Sequence, residues 1–574
     1  MTVFEVWAPE KPVTLRVGDV DHEMEPAEHG WWHADVPAEP GTDYGFLLPD
    51  RDQPLPDPRS MWQPDGVHGL SRVYDHAAFD WTDQGWTGRQ LPGAILYELH
   101  VGTFTPEGTF DAAIERLDHL VDLGVDMVEL LPVNAFNGTY NWGYDGVCWY
   151  APQESYGGPD ALKRFVDAAH AKGLGVLLDV VYNHFGPSGA YAPMFAPYTG
   201  ASNSWGASVN LNGPGSDEVR RYIIDNVLMW LRDYHFDGLR LDAVHALHDE
   251  GAVHLLEQMA VEVESLSTRL RRPLSLVAES DLNDPKMITP REGGGLGLHA
   301  QWDDDVHHAL HTLLTGERQG YYGDFGSLDC LRTVLEGAFF HAGTWSSFRE
   351  RRHGRPVDRQ RVPGHRFVTF LQNHDQIGNR AIGDRLTATL SPGLLRVGAT
   401  LLLTSPFTPM LFMGEEWAAS SPWQYFTSHP EPDLADAVRN GRRREFARHG
   451  WAEAEVPDPQ DPATFERSKL DWSEREKPGH SEILDLYKRL IRLRRETPGL
   501  ADPWLHQVEV WHGDQHLVVR RGPCVVAANL AATTQTVSLR SVPRAVLLAT
   551  SPGVIVERDR LVLPAESAAV VSVR

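Results

Sequence analysis

Apolar and polar positions alternate in short bursts at the start of the chain, Val13, Leu15 and Val17 first and Trp32, Ala34 and Val36 later, with proline and glycine clusters between them. A two-residue period predicts strands, and several short strands in succession predict a small β-sandwich over residues 1–88. After Pro92-Gly93 the rhythm changes. Apolar runs of buried-strand length stand at 94–99, 128–133, 175–181, 238–243, 274–278, 299–302, 366–371 and 409–412. Between several of them apolar residues recur three and four positions apart, which predicts helices. Ile114, Leu117 and Val121 lie between a Thr109 cap and Gly124; Leu162, Phe165, Val166 and Ala169 precede Gly173; Val219, Ile223, Val227 and Leu231 form a third set and Val253, Leu256, Ala260 and Val263 a fourth. Eight strands with helical connections predict an α/β fold, a parallel (β/α)8 TIM barrel over 89–498. A doubly wound sheet is the alternative. Charged and aromatic residues follow nearly every strand rather than one switch point, which favours the barrel.

Residues 418–478 are rich in proline, tryptophan and charge without strand alternation, and predict a loop-and-helix excursion after the eighth strand. Ile483, Leu486, Leu490 and Leu493 predict a closing helix. Alternation then returns with Val508, Val510, a turn at His512-Gly513-Asp514, Leu517 and Val519, predicting a second β-sandwich over 499–574.

Charge narrows the class of partner. The 574 residues carry 52 Lys and Arg against 79 Asp and Glu, a formal net charge of −27, so the surface repels phosphate polymers and argues against nucleic acid or an anionic membrane as partner. A neutral substrate meets no such barrier. Cys148, Cys330 and Cys524 are far apart and lack metal-ligand spacing, which suits a reducing, cytoplasmic compartment and suggests neither a disulfide framework nor a zinc site. No basic and apolar leader opens the chain, and no run of about 18 apolar residues follows, so a soluble, non-secreted chain is expected. The 18 Trp and 16 Tyr offer flat rings that cover a core or stack on sugars.

The chemistry gathers at strand ends, where barrel active sites lie. Arg240 and Asp242 stand two apart in the fourth apolar run, so a strand would point both to one side and set a cation beside the carboxylate. Asp179, Asn183 and His184 follow the third run, Glu279 and Ser280 the fifth, Asn373, His374 and Asp375 the seventh. Barrel closure would bring four acids, one arginine and two histidines into one crowded pocket. There one carboxyl is pushed to stay protonated while the arginine-paired one stays ionised, as the acid and nucleophile of a retaining glycosidase require.

These four segments resemble the signature regions of the α-amylase family of glycoside hydrolases, and the resemblance extends over the whole chain. It implies that Asp242 is the nucleophile, Glu279 the general acid/base and Asp375 a third acid that grips the sugar before the cut. It implies that Arg240 orients Asp242, that Asp179 partners Arg240, that His184 and His374 hydrogen-bond the same sugar, and that Tyr144 of Asn141-Trp142-Gly143-Tyr144-Asp145 stacks on it. Residues 97–105, 301–308, 373–380 and 414–417 resemble one branch of the family, whose members cut the α-1,4 bond next to a terminal trehalose, and imply a malto-oligosaccharide or trehalose-type substrate. Trp302, Trp417 and Trp423 are candidates for stacking sugars, and Asp303, Asp304, His245 and Glu416 for binding hydroxyls, with a structural role the alternative for each. No cofactor is implied. Many relatives bind calcium between the residue here Asn183 and the insertion after the third strand. Residues 185–212 contain no acid, so no such metal site is expected and Asn183 reads as a turn former. A branching transferase, a plain α-amylase or neopullulanase-like hydrolase, and a catalytically dead carbohydrate-binding scaffold are the alternatives. The last would lack one of the three acids, and all three are present.

Overall fold

The computed structural model describes residues 1–202, 206–447 and 456–574. Eight parallel strands close into a barrel: β1 (Leu96–Leu99), β2 (Met127–Leu130), β3 (Gly175–Val180), β4 (Gly238–Leu241), β5 (Ser275–Ala278), β6 (Ala300–Trp302), β7 (Phe367–Phe370) and β8 (Thr408–Phe412), each paired to the next and β8 to β1. All eight fall within or beside the predicted runs. Side chains alternate along a strand, so every second residue points into the barrel. The lower interior is apolar, with Leu96, Met127, Leu177, Val277 and Met410 in one cluster. One step up, the same strands turn inward Glu98, Glu129, Asp179 and Arg240, with Glu98 opposite Glu129 and Asp179 opposite Arg240 in register. The barrel therefore carries a polar layer above an apolar floor. Glu129 is buried in that layer, and neither of its carboxyl oxygens has a hydrogen-bond partner among the described residues.

Helices cover the outside where their apolar faces require. Gly158–Ala171 buries Leu162, Phe165, Val166 and Ala169 and Ser216–Asp233 buries Val219, Ile223, Val227 and Leu231, as the periodicity predicts. Two expectations change. The segment after Thr109 is two helices, Phe110–Ile114, capped by the Thr109 hydroxyl, and Leu117–Leu123, which ends where Gly124 adopts a φ of 97°. Its buried face runs through Leu117, Leu120 and Leu123, so Val121 is left exposed. Val253 is also exposed, because it precedes the helix Leu255–Leu270 that His254 caps.

Strands on either side of the barrel form separate sheets. Before it, Thr2–Trp7 pairs with Trp31–Val36, while Thr14–Val17 lies between Val20–Glu23 and Asp43–Leu47 in a second sheet, and Phe4, Val6, Leu15, Ala34 and Phe46 are buried. After it, five strands led by Val508–His512 form one sheet and three form another. The excursion after β8 contains the helices Pro432–Ala447 and Pro462–Arg467; its residues 448–455 lie outside the described residues. His480–Glu496 is the closing helix and buries Ile483, Leu486 and Leu490. Among the described residues no helix is long and apolar enough to cross a membrane.

Candidate active site

A cavity of about 800 Å³ opens over the C-terminal ends of the barrel strands. Asp242, Glu279 and Asp375 all line it, together with Tyr144, His184, His245, Asp304 and His374. Asp242 stands one residue beyond the end of β4, anchored by its N–H to the Val180 carbonyl at 3.0 Å. The next residue, Ala243, takes the left-handed conformation with φ 42°, a costly choice for a residue with a Cβ. That turn aims the Ala243 N–H at Glu279 Oε2, 2.5 Å away, while Val244 N–H donates to the Glu279 carbonyl at 2.9 Å. The end of β4 and the end of β5 are thus bonded to each other at the two carboxylates.

Arg240 connects the acids. Its side chain is fully buried and packs 4.2 Å from the Trp302 ring centroid. Its Nη1 donates to Asp242 Oδ1 at 2.7 Å and to both Asp179 oxygens at 2.9 and 2.8 Å, and Nη2 lies 3.6 Å from Glu279 Oε2. The second oxygen of Asp242 accepts from Asn183 Nδ2 at 2.8 Å. Asn183 is therefore a buried donor to the acid rather than the turn former expected of it, and its own Oδ1 meets His184 Nδ1 at 2.5 Å. Tyr144 hydroxyl donates to Asp179 Oδ2 at 2.6 Å and meets His374 Nε2 at 2.7 Å, with the two rings stacked 5.1 Å apart. On the far side of that imidazole, Nδ1 meets Glu98 Oε1 at 2.6 Å and the His374 backbone N–H donates to Glu98 Oε2 at 2.9 Å.

The charges differ across this small space. Burial pushes the Glu279 carboxyl up to about 8; the Arg240 guanidinium pulls it down, and the Asp242, Asp375 and Asp304 carboxylates push it further up. Burial likewise raises Asp304 to about 7, with Asp375 adding to it. Burial alone would lower His374, and the Asp375 and Glu98 carboxylates more than offset that, bringing it to about 9. Burial lowers both His184 and His245. The site holds a carboxyl that stays protonated at neutral pH beside one whose two oxygens both accept hydrogen bonds.

Several residues expected at the site stand elsewhere. Trp302 is buried in the barrel interior beneath Arg240, because the last residue of β6 points inward below the rim. Trp417 and Trp423 are fully buried, the first against Trp472 and the second stacked behind Trp142 at 5.7 Å. Glu416 is also fully buried, accepting from Tyr97 hydroxyl at 3.0 Å and paired with His119 Nε2 at 2.8 Å. Successive residues on a helix point about 100° apart. At the start of the helix Asp304–Thr315, Asp303 therefore caps the helix and Asp305 accepts from the Phe340 and His341 backbone, leaving Asp304 to face the cavity. Other residues at the cavity were not foreseen: Trp142, Asp281, held by Arg349, and Tyr425, Arg442 and Glu445 from the excursion after β8. Glu98 was also missed, although a lone carboxylate inside the apolar run Leu96–Leu99 is a visible signal. Among the described residues no cluster of His, Cys, Asp and Glu has the arrangement to hold a metal ion.

The family described as alpha amylase, catalytic domain, matches residues 72–195. The chain is 56% identical over 579 residues to the malto-oligosyltrehalose trehalohydrolase of a Rhizobium species (strain M-11), covering 99% of this chain and 97% of that one. It is 59% identical over 535 residues to the enzyme of the same name from Arthrobacter ramosus, covering 92% of each. Among solved structures, a chain from Salmonella typhimurium assigned as an alpha amylase superposes with a TM-score of 0.91 at 39% identity, covering 100% of this chain and 97% of that one.

Proposed function

The chain belongs to the malto-oligosyltrehalose trehalohydrolases within the alpha-amylase family, and from that premise we propose that it hydrolyses the α-1,4 bond joining a malto-oligosaccharide to its terminal trehalose, releasing trehalose with retention. The observation that carries the reading is the contrast around Arg240: one guanidinium touches Asp242 at 2.7 Å and Glu279 at 3.6 Å, yet burial and neighbouring carboxylates push Glu279 up to about 8. In our reading Glu279 gives its proton to the oxygen leaving with trehalose while Asp242 attacks the anomeric carbon, forming a glycosyl ester on Asp242. Glu279, now ionised, takes a proton from water, and the resulting attack on that ester frees the oligosaccharide. Asp375, 3.5 Å from His374 Nε2, and Tyr144 hold the sugar on the Asp242 side. Asp304 and His245 face the same space as candidate hydroxyl partners. The three cysteines are unpaired and buried, which supports a cytoplasmic site of action.

The test is to offer the purified protein maltopentaose and a malto-oligosyltrehalose of similar length and follow free trehalose and reducing ends. Fast trehalose release with slow maltopentaose cleavage is the expected outcome. Cleavage of maltopentaose alone, or branched products, would move the activity to the amylase or branching branch of the family.

A further inference from the structure

Glu98, at the top of β1, belongs to no step of that reaction and touches no part of the cavity. It is buried, and it clasps His374 twice, through the ring Nδ1 at 2.6 Å and the backbone N–H at 2.9 Å. We propose that Glu98 is a positioning residue that keeps His374 as an imidazolium, so that both ring nitrogens donate and the ring holds Tyr144 and Asp375 where the sugar binds. The proposal rests on the hydrolytic reading above.

Hydrogen-bond bookkeeping carries it. Burial raises Asp179 to about 6, so it is ionised at neutral pH, where Arg240 Nη1 shares one N–H between its two oxygens, and the single proton of the Tyr144 hydroxyl goes to Asp179 Oδ2 at 2.6 Å. The Tyr144 oxygen must then accept from His374 Nε2, 2.7 Å away, which requires a proton on Nε2. On the other side Glu98 Oε2 already accepts the His374 backbone N–H, and Oε1 accepts Nδ1, which requires a second ring proton. A carboxylate at Glu98 and an imidazolium at His374 give every side-chain donor and acceptor from Glu98 through Tyr144 to Asp179 a partner.

The groups facing the ring agree with that charge. Glu98 stands on β1, Glu129 on β2, Asp179 on β3 and Arg240 on β4, with Asp375 next in sequence and His100 within electrostatic reach. Burial and its two acidic neighbours push Glu129 well above the carboxylate range, so it adds no charge. Glu98, Asp179, Asp242 and Asp375 then face Arg240 and His374, and a neutral His374 would leave four carboxylates to one cation. The imidazolium also lies 3.5 Å from Asp375 Oδ2, which it steers toward the cavity.

The test is the pH profile of kcat/KM for Glu98→Gln, which keeps the shape and removes the charge. Its loss should be smallest near pH 5.5, where an imidazole that has lost its carboxylate partner is most protonated, and should grow to at least about tenfold by pH 8, with the alkaline limb moved acidward by about one unit or more. The same fractional loss at every pH would mean that Glu98 supplies shape alone, and an unchanged profile would mean that it supplies nothing; either overturns the proposal. If Glu98→Gln does not fold, the ring ¹⁵N shifts of His374 in the unmodified enzyme decide. Two protonated nitrogens at pH 7.5 support the proposal and one overturns it. Each profile is read on whichever of malto-oligosyltrehalose and maltopentaose the unmodified enzyme cleaves, so a wrong substrate assignment shows in that enzyme and a wrong role for Glu98 in the ratio of the two.

Discussion

Asp242 and Glu279 sit on the two sides of one guanidinium, and their surroundings diverge from there. Asp242 accepts from Arg240 and Asn183, one donor on each oxygen, and the arginine is itself fixed by Asp179 and Trp302. Glu279 has a single backbone donor at 2.5 Å, a looser contact to Arg240, and carboxylates for neighbours. Two similar groups a few ångströms apart thus differ in the number and sign of their partners, and those around Glu279 add to the burial that pushes it up. Depth does not separate them, since both side chains are only slightly exposed.

The most severe way to break the contrast is Asp242→Asn. The amide keeps the shape and its place beside Arg240, so folding should be retained while kcat/KM falls by at least about 10³-fold; near-normal turnover would refute the assignment. Glu279→Gln removes the proton donor instead. It should cost about 10²- to 10⁴-fold on glucan leaving groups, which need protonation, and far less on an activated 4-nitrophenyl glycoside. Equal loss on both would take the acid role away from Glu279.

Asp304→Asn sharpens the comparison without touching either acid. The raised Glu279 carboxyl must be protonated to act, so activity should be full well below pH 8 and fall as pH rises through about 8. Asp304 helps push Glu279 up, and removing its charge should move that alkaline limb toward lower pH by less than about one unit. A limb that stays still, or moves up, would show that Asp304 does not feel Glu279. The smallest effect on rate is expected for Glu416→Gln, away from the pair altogether. Disturbing its buried contact with His119 should lower stability by about 1–3 kcal/mol, read from thermal or urea unfolding, with kcat/KM within about threefold.

That last variant marks where sequence reading stopped. The barrel strands were legible because buried parallel strands are continuous apolar runs, and the acids because each interrupts or ends such a run. Asp179, Arg240, His184 and His374 stand in or just after those runs, while Tyr144 came only from the family resemblance. What lies past the rim was less legible. Trp302, Trp417, Trp423 and Glu416 stand at plausible distances along the chain, but rotation about the strand end and the turns after β8 decide whether a side chain faces the cavity or the core. Arg442 and Glu445 escaped for the converse reason: they come from a helix of the excursion, folded back over the site from beyond the eighth strand. Glu98 was visible as a carboxylate in an apolar strand, yet its partner is 276 residues away.

Glu129 offers a use of a different kind. It is a buried carboxylic acid whose oxygens have no hydrogen-bond partner among the described residues, an arrangement that shifts the carbonyl stretch away from those of solvated or ionised carboxyls, and it stands in the same layer as Glu98, Asp179 and Arg240. The barrel therefore contains its own infrared reporter, placed under the reacting groups without any label. Because the frequency of such an oscillator follows the local electric field, a difference spectrum recorded through the catalytic cycle would register each change of charge above it.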